Sequence, residues 1–114
     1  MYKFGEIYMA ALPVAINSNI QQGTRPVIIV SNDKNNCFST VVNVIPLTSS
    51  TTKHNLPVHV QLEGYGLIKP SIALCEQITT IDMYRLDRKI GCVDDNKKLR
   101  QLQKAMMIQF NMAA

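Results

Sequence analysis

The sequence predicts a mainly β protein, a small antiparallel barrel with one C-terminal α-helix. Three observations indicate this class. Short runs of alternating or β-branched residues follow one another and are separated by polar turns. A helical spacing of apolar residues is found only near the C-terminus. The 114 residues, 46% of them hydrophobic, suffice for one core, so residues 1–114 are predicted to form a single domain.

Three strands are predicted in the first half of the chain. Phe4–Leu12 alternates apolar and polar residues over much of its length. Pro26–Ser31 is a continuous β-branched run, which is typical of a strand buried on both faces. Thr40–Thr48 forms the third strand, and we expect it to bend near Pro46 because proline cannot donate to a strand ladder.

Polar loops connect these strands. Pro13–Thr24 is rich in Asn and Gln, Asn32–Ser39 is predicted to be a turn, and Ser49–Asn55 carries Ser, Thr, Lys and His. A loop as long as the first is often functional in a compact domain. The loops beside the second and third strands are therefore where we expect a ligand to bind.

The second half of the chain continues the pattern of short strands. Pro57–Leu62, Ser71–Gln77 and Lys89–Val93 are predicted strands, Gly64–Pro70 is a loop, and Met83–Leu86 can form a helical turn.

The last segment is predicted to be an amphipathic helix. Either Asp94 or Asp95 can cap its N-terminus. Four apolar residues then recur at spacings of three and four and form one stripe, which we interpret as a core or dimer contact: Leu99, Leu102, Met106 and Phe110.

Charge and cysteine usage narrow the class of partner. The net charge of +4 permits an anionic partner such as nucleic acid without requiring one. Cys37, Cys75 and Cys92 show no CxxC spacing, so we expect reduced thiols, a cytoplasmic location, no metal site and no cofactor. No apolar run approaches the length of a membrane span or of a signal peptide.

The segment Gly23-Thr24-Arg25-Pro26 carries the most chemical information. Pro26 fixes its own φ and pushes Arg25 toward extended backbone, at the start of a predicted buried strand. A guanidinium remains protonated, and its planar fork suits phosphate oxygens. The segment therefore predicts an anion or phosphate site, although an ordinary surface arginine at a turn would have the same local sequence.

A hairpin supplies Arg25 with a partner. Residues that face each other across an antiparallel pair keep a constant sum of their numbers. A turn centred near Asn36 then places Arg25 opposite Thr48, at the open end of the hairpin. A fixed cation and a hydroxyl donor are thus predicted to lie together, between two polar loops.

Eight ordered segments extend over nearly the whole chain: Gly5-Glu6-Ile7-Tyr8, Gly23 to Asp33, Val44 to Ser49, Leu56 to Val60, Gly66-Leu67, Ser71 to Asp82, Arg85-Leu86 and Lys89-Ile90-Gly91. Together these segments resemble the MazF/PemK toxin family. No single motif decides the matter, but the ordered set is highly specific.

The resemblance implies an SH3-like barrel that forms a homodimer. It also implies a metal-independent, sequence-selective endoribonuclease that cleaves single-stranded RNA by attack of the 2′-OH. The inhibitor would be a MazE-like antitoxin with an acidic or disordered C-terminal segment, and any DNA contact would be made through that antitoxin. The catalytic Arg and Thr of the family map onto Arg25 and Thr48.

Six further residues are predicted to contact RNA, either on their loop positions or on the resemblance: Asn19, Gln21, Lys53, His54, Ser71 and Gln77. His59 lies on the polar face of an alternating strand, where a solvated or cross-strand histidine is the expected role rather than a catalytic base.

One position departs from the family pattern. The loop before the family's arginine usually contains Glu, and here Ile20 takes its place in Ser18-Asn19-Ile20-Gln21-Gln22-Gly23. The general base is therefore unassigned. Two alternatives to the enzyme stay open from the sequence: a non-catalytic barrel that binds RNA or antitoxin, and a toxin that targets a protein, like the gyrase poisons.

Overall fold

The computed structural model describes residues 1–50 and 56–112. Within them the chain forms seven strands and two α-helices in this order: β1 Glu6–Leu12, β2 Gly23–Ile29, α1 Asp33–Phe38, β3 Val41–Thr48, β4 His59–Leu62, β5 Ser71–Leu74, β6 Thr79–Asp82, β7 Leu86–Cys92 and α2 Asn96–Gln109. Short 3₁₀ turns span Cys75–Gln77 and Met83–Arg85, the second of which confirms the predicted helical turn.

The strands form one antiparallel sheet. Its hydrogen-bonded path runs β4-β5-β3-β2-β1-β7, and β6 pairs with β3 beside that path. The predicted class, mainly β with one C-terminal helix, is confirmed. Among the described residues, β4 and β7, the two ends of this path, do not pair with each other. The two ends can therefore meet only through packing.

Two glycines allow the two ends of the path to pack closely against each other. Gly66 follows β4 and Gly91 lies in β7, and a Cβ built on Gly91 would lie 2.1 Å from the carbonyl oxygen of Tyr65. A Cβ on Gly66 would lie 2.2 Å from the carbonyl oxygen of Ile90, and Gly66 also has a φ of +87°. Only glycine at both positions lets the loop after β4 lie directly on β7.

The prediction that the second strand is buried on both faces is confirmed. Val27, Ile28 and Ile29 are fully buried. Ile28 packs into one core cluster with Ile7 and residues of β3–β5 and α2, whereas its two neighbours pack into a second cluster on the opposite face of the sheet. This alternation follows from the two-residue period of a strand.

The predicted turn at Asn32–Ser39 is wrong, because a short helix forms there. Asn32 caps α1 by accepting a hydrogen bond from the backbone N–H of Asn35 at 2.8 Å. Asn-rich composition suggested a turn, but Asn is also a preferred helix N-cap, and burial of Asn36 favours the helix.

The predicted strand Ser71–Gln77 is too long. β5 ends at Leu74, the chain turns through Cys75–Gln77, and β6 follows as a strand that was not predicted. β6 pairs with the first half of β3, and β5 pairs with its end at Leu47 and Thr48. The strands change partner beside Pro46, where a bend was expected.

Helix α2 is capped by Asp95, whose carboxylate accepts from the N–H of Lys97 at 2.9 Å. Leu102 is buried, and Leu99 and Met106 pack against the core. Phe110 is 54% exposed because it lies at the helix C-cap, so the predicted stripe ends one turn early.

The three cysteines are free, and burial raises the pKa of Cys75 to about 12.

In the described part of the chain, no helix is long and apolar enough to cross a membrane.

Candidate active site

A cleft of about 710 Å³ opens where strands β2 and β3 separate. The β2–β3 ladder pairs Ile29 with Val44, Ile28 with Ile45 and Val27 with Pro46, which is the predicted register. Beyond Val27 the strands diverge: β2 stays paired with β1, and β3 joins β5. The divergence leaves a space between the two strand ends.

Arg25 and Thr48 both line this cleft. Arg25 pairs with Ala10 of β1, and Thr48 pairs with Ile72 of β5. Each side chain is therefore carried by a paired strand rather than by a mobile loop, although the two strands no longer pair with each other there.

The guanidinium of Arg25 is oriented by the preceding loop. Its Nε–H donates to the carbonyl oxygen of Gln22 at 3.0 Å, and its Nη1 donates to the side-chain oxygen of Gln21. These bonds use two of the five N–H groups of an arginine. Among the described residues the other three have no hydrogen-bond partner, so they remain available to a ligand in the cleft.

Thr48 and Ser71 form a hydroxyl-bearing wall of the cleft. Both are largely buried, at 7% and 8% exposure. Thr48 Oγ1 accepts from the backbone N–H of Ser50 at 3.2 Å, which leaves its own hydrogen free to donate. Ser71 Oγ instead donates to the carbonyl oxygen of Lys69 at 3.0 Å. The two hydroxyls therefore differ: the hydrogen of Thr48 is available and that of Ser71 is engaged.

Three cations that were not predicted as site residues complete the lining: Lys69, Arg88 and Lys89. Lys89 is compensated by Glu6, at 2.7 Å between Nζ and Oε2. Burial raises the pKa of Glu6, but hydrogen bonds from Lys89 and from the N–H of Lys3 outweigh it, so the net pKa is lowered. No Asp, Glu or His is among the described residues that line the cleft, which gives it a positive potential.

The apolar part of the lining provides a surface on which planar groups can stack or pack: Met9, Pro26, Leu47, Leu67, Ile68 and Ile90. Ile68 is 93% exposed at the rim.

The other predicted RNA contacts are distributed as follows. Gln21 lies beside Arg25, and the Oε1 atom of Gln77 accepts from the backbone N–H of Gln21 at 2.7 Å. Asn19 is exposed on the same loop, two residues from Gln21. Lys53 and His54 lie outside the described residues.

His59 is not among the described residues that line the cleft. Its Nε2 is 2.8 Å from Oε2 of Glu76, and its side chain is only 5% exposed. The contact joins β4 to the 3₁₀ turn Cys75–Gln77, so His59 has a structural partner next to the neighbouring strand and is not solvated. The described residues hold no group of three or more His, Cys, Asp or Glu side chains that could bind a metal ion.

The missed cations had weak signals in the sequence. Lys89 begins the predicted strand Lys89–Val93, Arg88 comes directly before it, and Lys69 lies just before Ser71, but nothing local indicates that both segments face Arg25. Their convergence requires the close packing of Gly66 on β7 described above.

A small antiparallel sheet with a cationic cleft at a strand divergence is a fold and site suited to an anionic chain molecule. The chain belongs to the family described as the PemK-like, MazF-like toxin of type II toxin–antitoxin systems, whose model matches residues 3–110. The predicted family is thereby confirmed.

Individual relatives agree with that assignment. The chain is 36% identical to Endoribonuclease MazF of Staphylococcus saprophyticus over 98% of this chain and 93% of that protein. It is 41% identical to Endoribonuclease EndoA of Bacillus subtilis over 82% of this chain and 81% of that protein. The solved structure of the Mycobacterium tuberculosis toxin MazF-mt6 superposes with a TM-score of 0.79 at 27% identity, covering 96% of this chain and 99% of that one.

Proposed function

We propose that this toxin is an endoribonuclease that cleaves single-stranded RNA at the cleft between β2 and β3. The observation that carries the proposal is the position of Arg25 and Thr48 on one cation-lined cleft, each with unused hydrogen-bond donors. The names of the two similar endoribonucleases support the same activity.

The reaction is a transphosphorylation within the RNA. The 2′-oxygen forms a bond to the adjacent phosphorus, and the bond from phosphorus to the 5′-oxygen breaks. The 2′-OH loses a proton and the leaving 5′-oxygen gains one. The products are a 2′,3′-cyclic phosphate and a 5′-hydroxyl, and no electron transfer is involved.

Arg25 and Thr48 stabilise the charge that develops on the non-bridging oxygens. Arg25 offers a charged, planar donor set, and Thr48 offers a neutral O–H from the opposite strand. Loss of one such pre-oriented donor typically costs about 3 kcal/mol in the transition state. The described lining residues thus supply charge stabilisation; none of them is a carboxylate or an imidazole that could accept the 2′-OH proton.

RNA binding extends from the cleft onto the neighbouring loops. Lys69 and Arg88 neutralise flanking phosphates, Ser71 contributes from the cleft wall, and Asn19 and Gln21 contribute from the loop before β2. Gln77 was predicted as a further RNA contact, and its bond to Gln21 ties it to that loop. Lys53 and His54 are proposed contacts on sequence alone. The exposed apolar rim gives unstacked bases a surface to pack on, as single-stranded RNA recognition commonly requires.

The partners follow from the family. A type II toxin has a cognate antitoxin, and an acidic, disordered antitoxin segment would fit the cationic cleft by charge. The working form is a homodimer, and DNA contact occurs through the antitoxin only. We expect a dimer mass in solution at micromolar concentration; a monomer mass would contradict this part of the proposal.

The activity is tested by cleavage of single-stranded RNA in EDTA, with end-group analysis of the products. We expect cyclic-phosphate ends from the wild type and at least a hundredfold lower rate for Arg25→Ala. Arg100→Ala is the matched control because Arg100 is exposed on α2. Equal rates for wild type and Arg25→Ala, or no cleavage by the wild type, would refute the proposal; RNA binding without product would favour a non-catalytic barrel.

A further inference from the structure

A series of hydrogen bonds leads from Gln77 to the catalytic cleft. Gln77 ends the 3₁₀ turn after β5, and its Oε1 accepts from the N–H of Gln21 at 2.7 Å. The side chain of Gln21 then accepts from Arg25 Nη1, and the next carbonyl, of Gln22, accepts from Arg25 Nε at 3.0 Å. Residues 56 positions apart are thereby linked to one guanidinium.

The hydrogen bond from Gln21 to Gln77 attaches the loop before β2, residues 13–22, to the rest of the fold. In the part of the chain that the structure describes, the other hydrogen bonds of residues 13–22 stay within that loop or join it to Arg25: Ala15 with Gln22, Ile20 with Ser18, and the two bonds to the guanidinium. Ile16 and Ile20 are 89% and 64% exposed, so apolar packing does little to fix the loop. Without Gln77, the two acceptors that orient Arg25 would lie on a weakly anchored segment.

The acceptors are neutral, and this suits the chemistry. A carboxylate would orient the guanidinium equally well but would neutralise its charge and compete with phosphate. Among the described residues, the carboxylate of Glu6 contacts Lys89 and that of Glu76 contacts His59, and neither of these contacts involves Arg25. Amide and carbonyl oxygens hold one edge of the guanidinium and leave its full charge and three N–H groups for the ligand.

We propose that Gln77 is a positioning residue for cleavage, which acts through Gln21 and Gln22 to hold Arg25 in its reactive orientation. The inference rests on the proposed role of Arg25 and assigns Gln77 a different task from direct RNA contact. It predicts that loss of the Gln77 acceptor lowers kcat, because the charge-stabilising group becomes misplaced, and leaves KM nearly unchanged.

The decisive variants are Gln77→Met and Gln77→Glu. Met has a similar length but no strong acceptor, so we expect kcat to fall by about tenfold with KM within about twofold of the wild type. Glu keeps an oxygen for the Gln21 N–H, so kcat should return to near the wild-type value. Its added negative charge should raise KM. Gln109→Met, an exposed glutamine on α2, is the matched control.

A spectroscopic measurement on the RNA-free protein separates orientation from general damage. The Arg25 Nε–H is hydrogen-bonded to Gln22, so its signal in ¹⁵N-edited NMR should exchange slowly with water; Arg25→Lys identifies that signal. Gln77→Met should accelerate the exchange at an unchanged melting temperature, and Gln77→Glu should restore protection.

Several outcomes would overturn the inference. A raised KM with unchanged kcat in Gln77→Met would make Gln77 an RNA contact, and unchanged kinetics would give it no role in the reaction. A lower kcat without faster Arg25 exchange would exclude action through Arg25. Failure of the proposed function would be recognised separately, because Arg25→Ala would then cleave RNA as fast as the wild type. The NMR comparison would still report whether Gln77 orients Arg25.

Discussion

The two ends of the β2–β3 hairpin are both polar, yet their polar groups are used differently. At the closed end, Ser31 Oγ donates to Asn36 Oδ1 at 2.5 Å and accepts from the N–H of Asn43 at 3.1 Å. Asn36 Nδ2 in turn donates to the carbonyl oxygen of Ser31 at 3.0 Å. These buried groups satisfy one another.

At the open end, Arg25 and Thr48 keep donors that no described residue accepts from. Polarity and burial therefore do not by themselves identify a site. A buried network that is complete stabilises the fold, whereas oriented donors with unused capacity beside a cleft can act on a ligand. Four changes test this distinction, from the largest expected effect to the smallest.

Arg25→Lys should lower kcat/KM by about a hundredfold or more, although it keeps the positive charge. Lysine lacks the planar fork and cannot make both bonds to Gln21 and Gln22. The measurement is single-stranded RNA cleavage, with Arg100→Lys as control. A lysine variant that cleaves like the wild type would mean that charge alone suffices at the open end.

Thr48→Val should lower kcat by roughly tenfold to a hundredfold, less than the arginine change, because a neutral O–H is a weaker donor than a charged one. Valine keeps the shape and the β-propensity of threonine. Thr79→Val, at an exposed position of β6, is the matched control. Wild-type kcat in Thr48→Val would remove Thr48 from the mechanism.

Asn36→Ala should destabilise the closed end by about 2 kcal/mol, because it leaves the buried Ser31 groups without their partners. The rate of cleavage per folded molecule should not change. Urea unfolding and kinetics on the same preparation check both expectations. A loss of kcat with wild-type stability would contradict the division between the two ends.

Glu6→Gln should give the smallest effect, a change in the pH dependence of stability. The pKa of Glu6 in the folded state is lowered from its usual 4.5, because Lys89 and Lys3 outweigh burial. The stabilisation is therefore present above that ordinary value and is lost as pH falls through the folded pKa.

The measurement is the free energy of unfolding of wild type and Glu6→Gln between neutral pH and about pH 3. The advantage of the wild type should shrink toward acid pH. An advantage that grows on acidification would mean that the folded pKa is raised instead.

Much of the fold could be predicted because local patterns carry it. The β-branched run from Val27 to Val30 indicates a strand buried on both faces, and the spacing of Leu99, Leu102 and Met106 indicates the packed side of α2. The turns were harder to predict, because Asn-rich residues suit both a loop and a capped helix. The short strand β6 was also hard to predict, because it forms by pairing with the first half of β3. Such pairing is a tertiary property that propensity does not encode.

The candidate site was predictable in part for the same reason. The register of one hairpin is a local problem, so the chain itself determines that Arg25 and Thr48 lie at the same hairpin end. The sequence also determines the family, through ordered segments across most of the chain.

Only the tertiary structure decides which other groups reach that end. Lys69 and Arg88 converge on the cleft because two glycines let the loop after β4 lie on β7, and Gln77 reaches Gln21 because a 3₁₀ turn ends β5 early. These are contacts between segments far apart in the chain. They depend on how the sheet bends, which no single segment specifies.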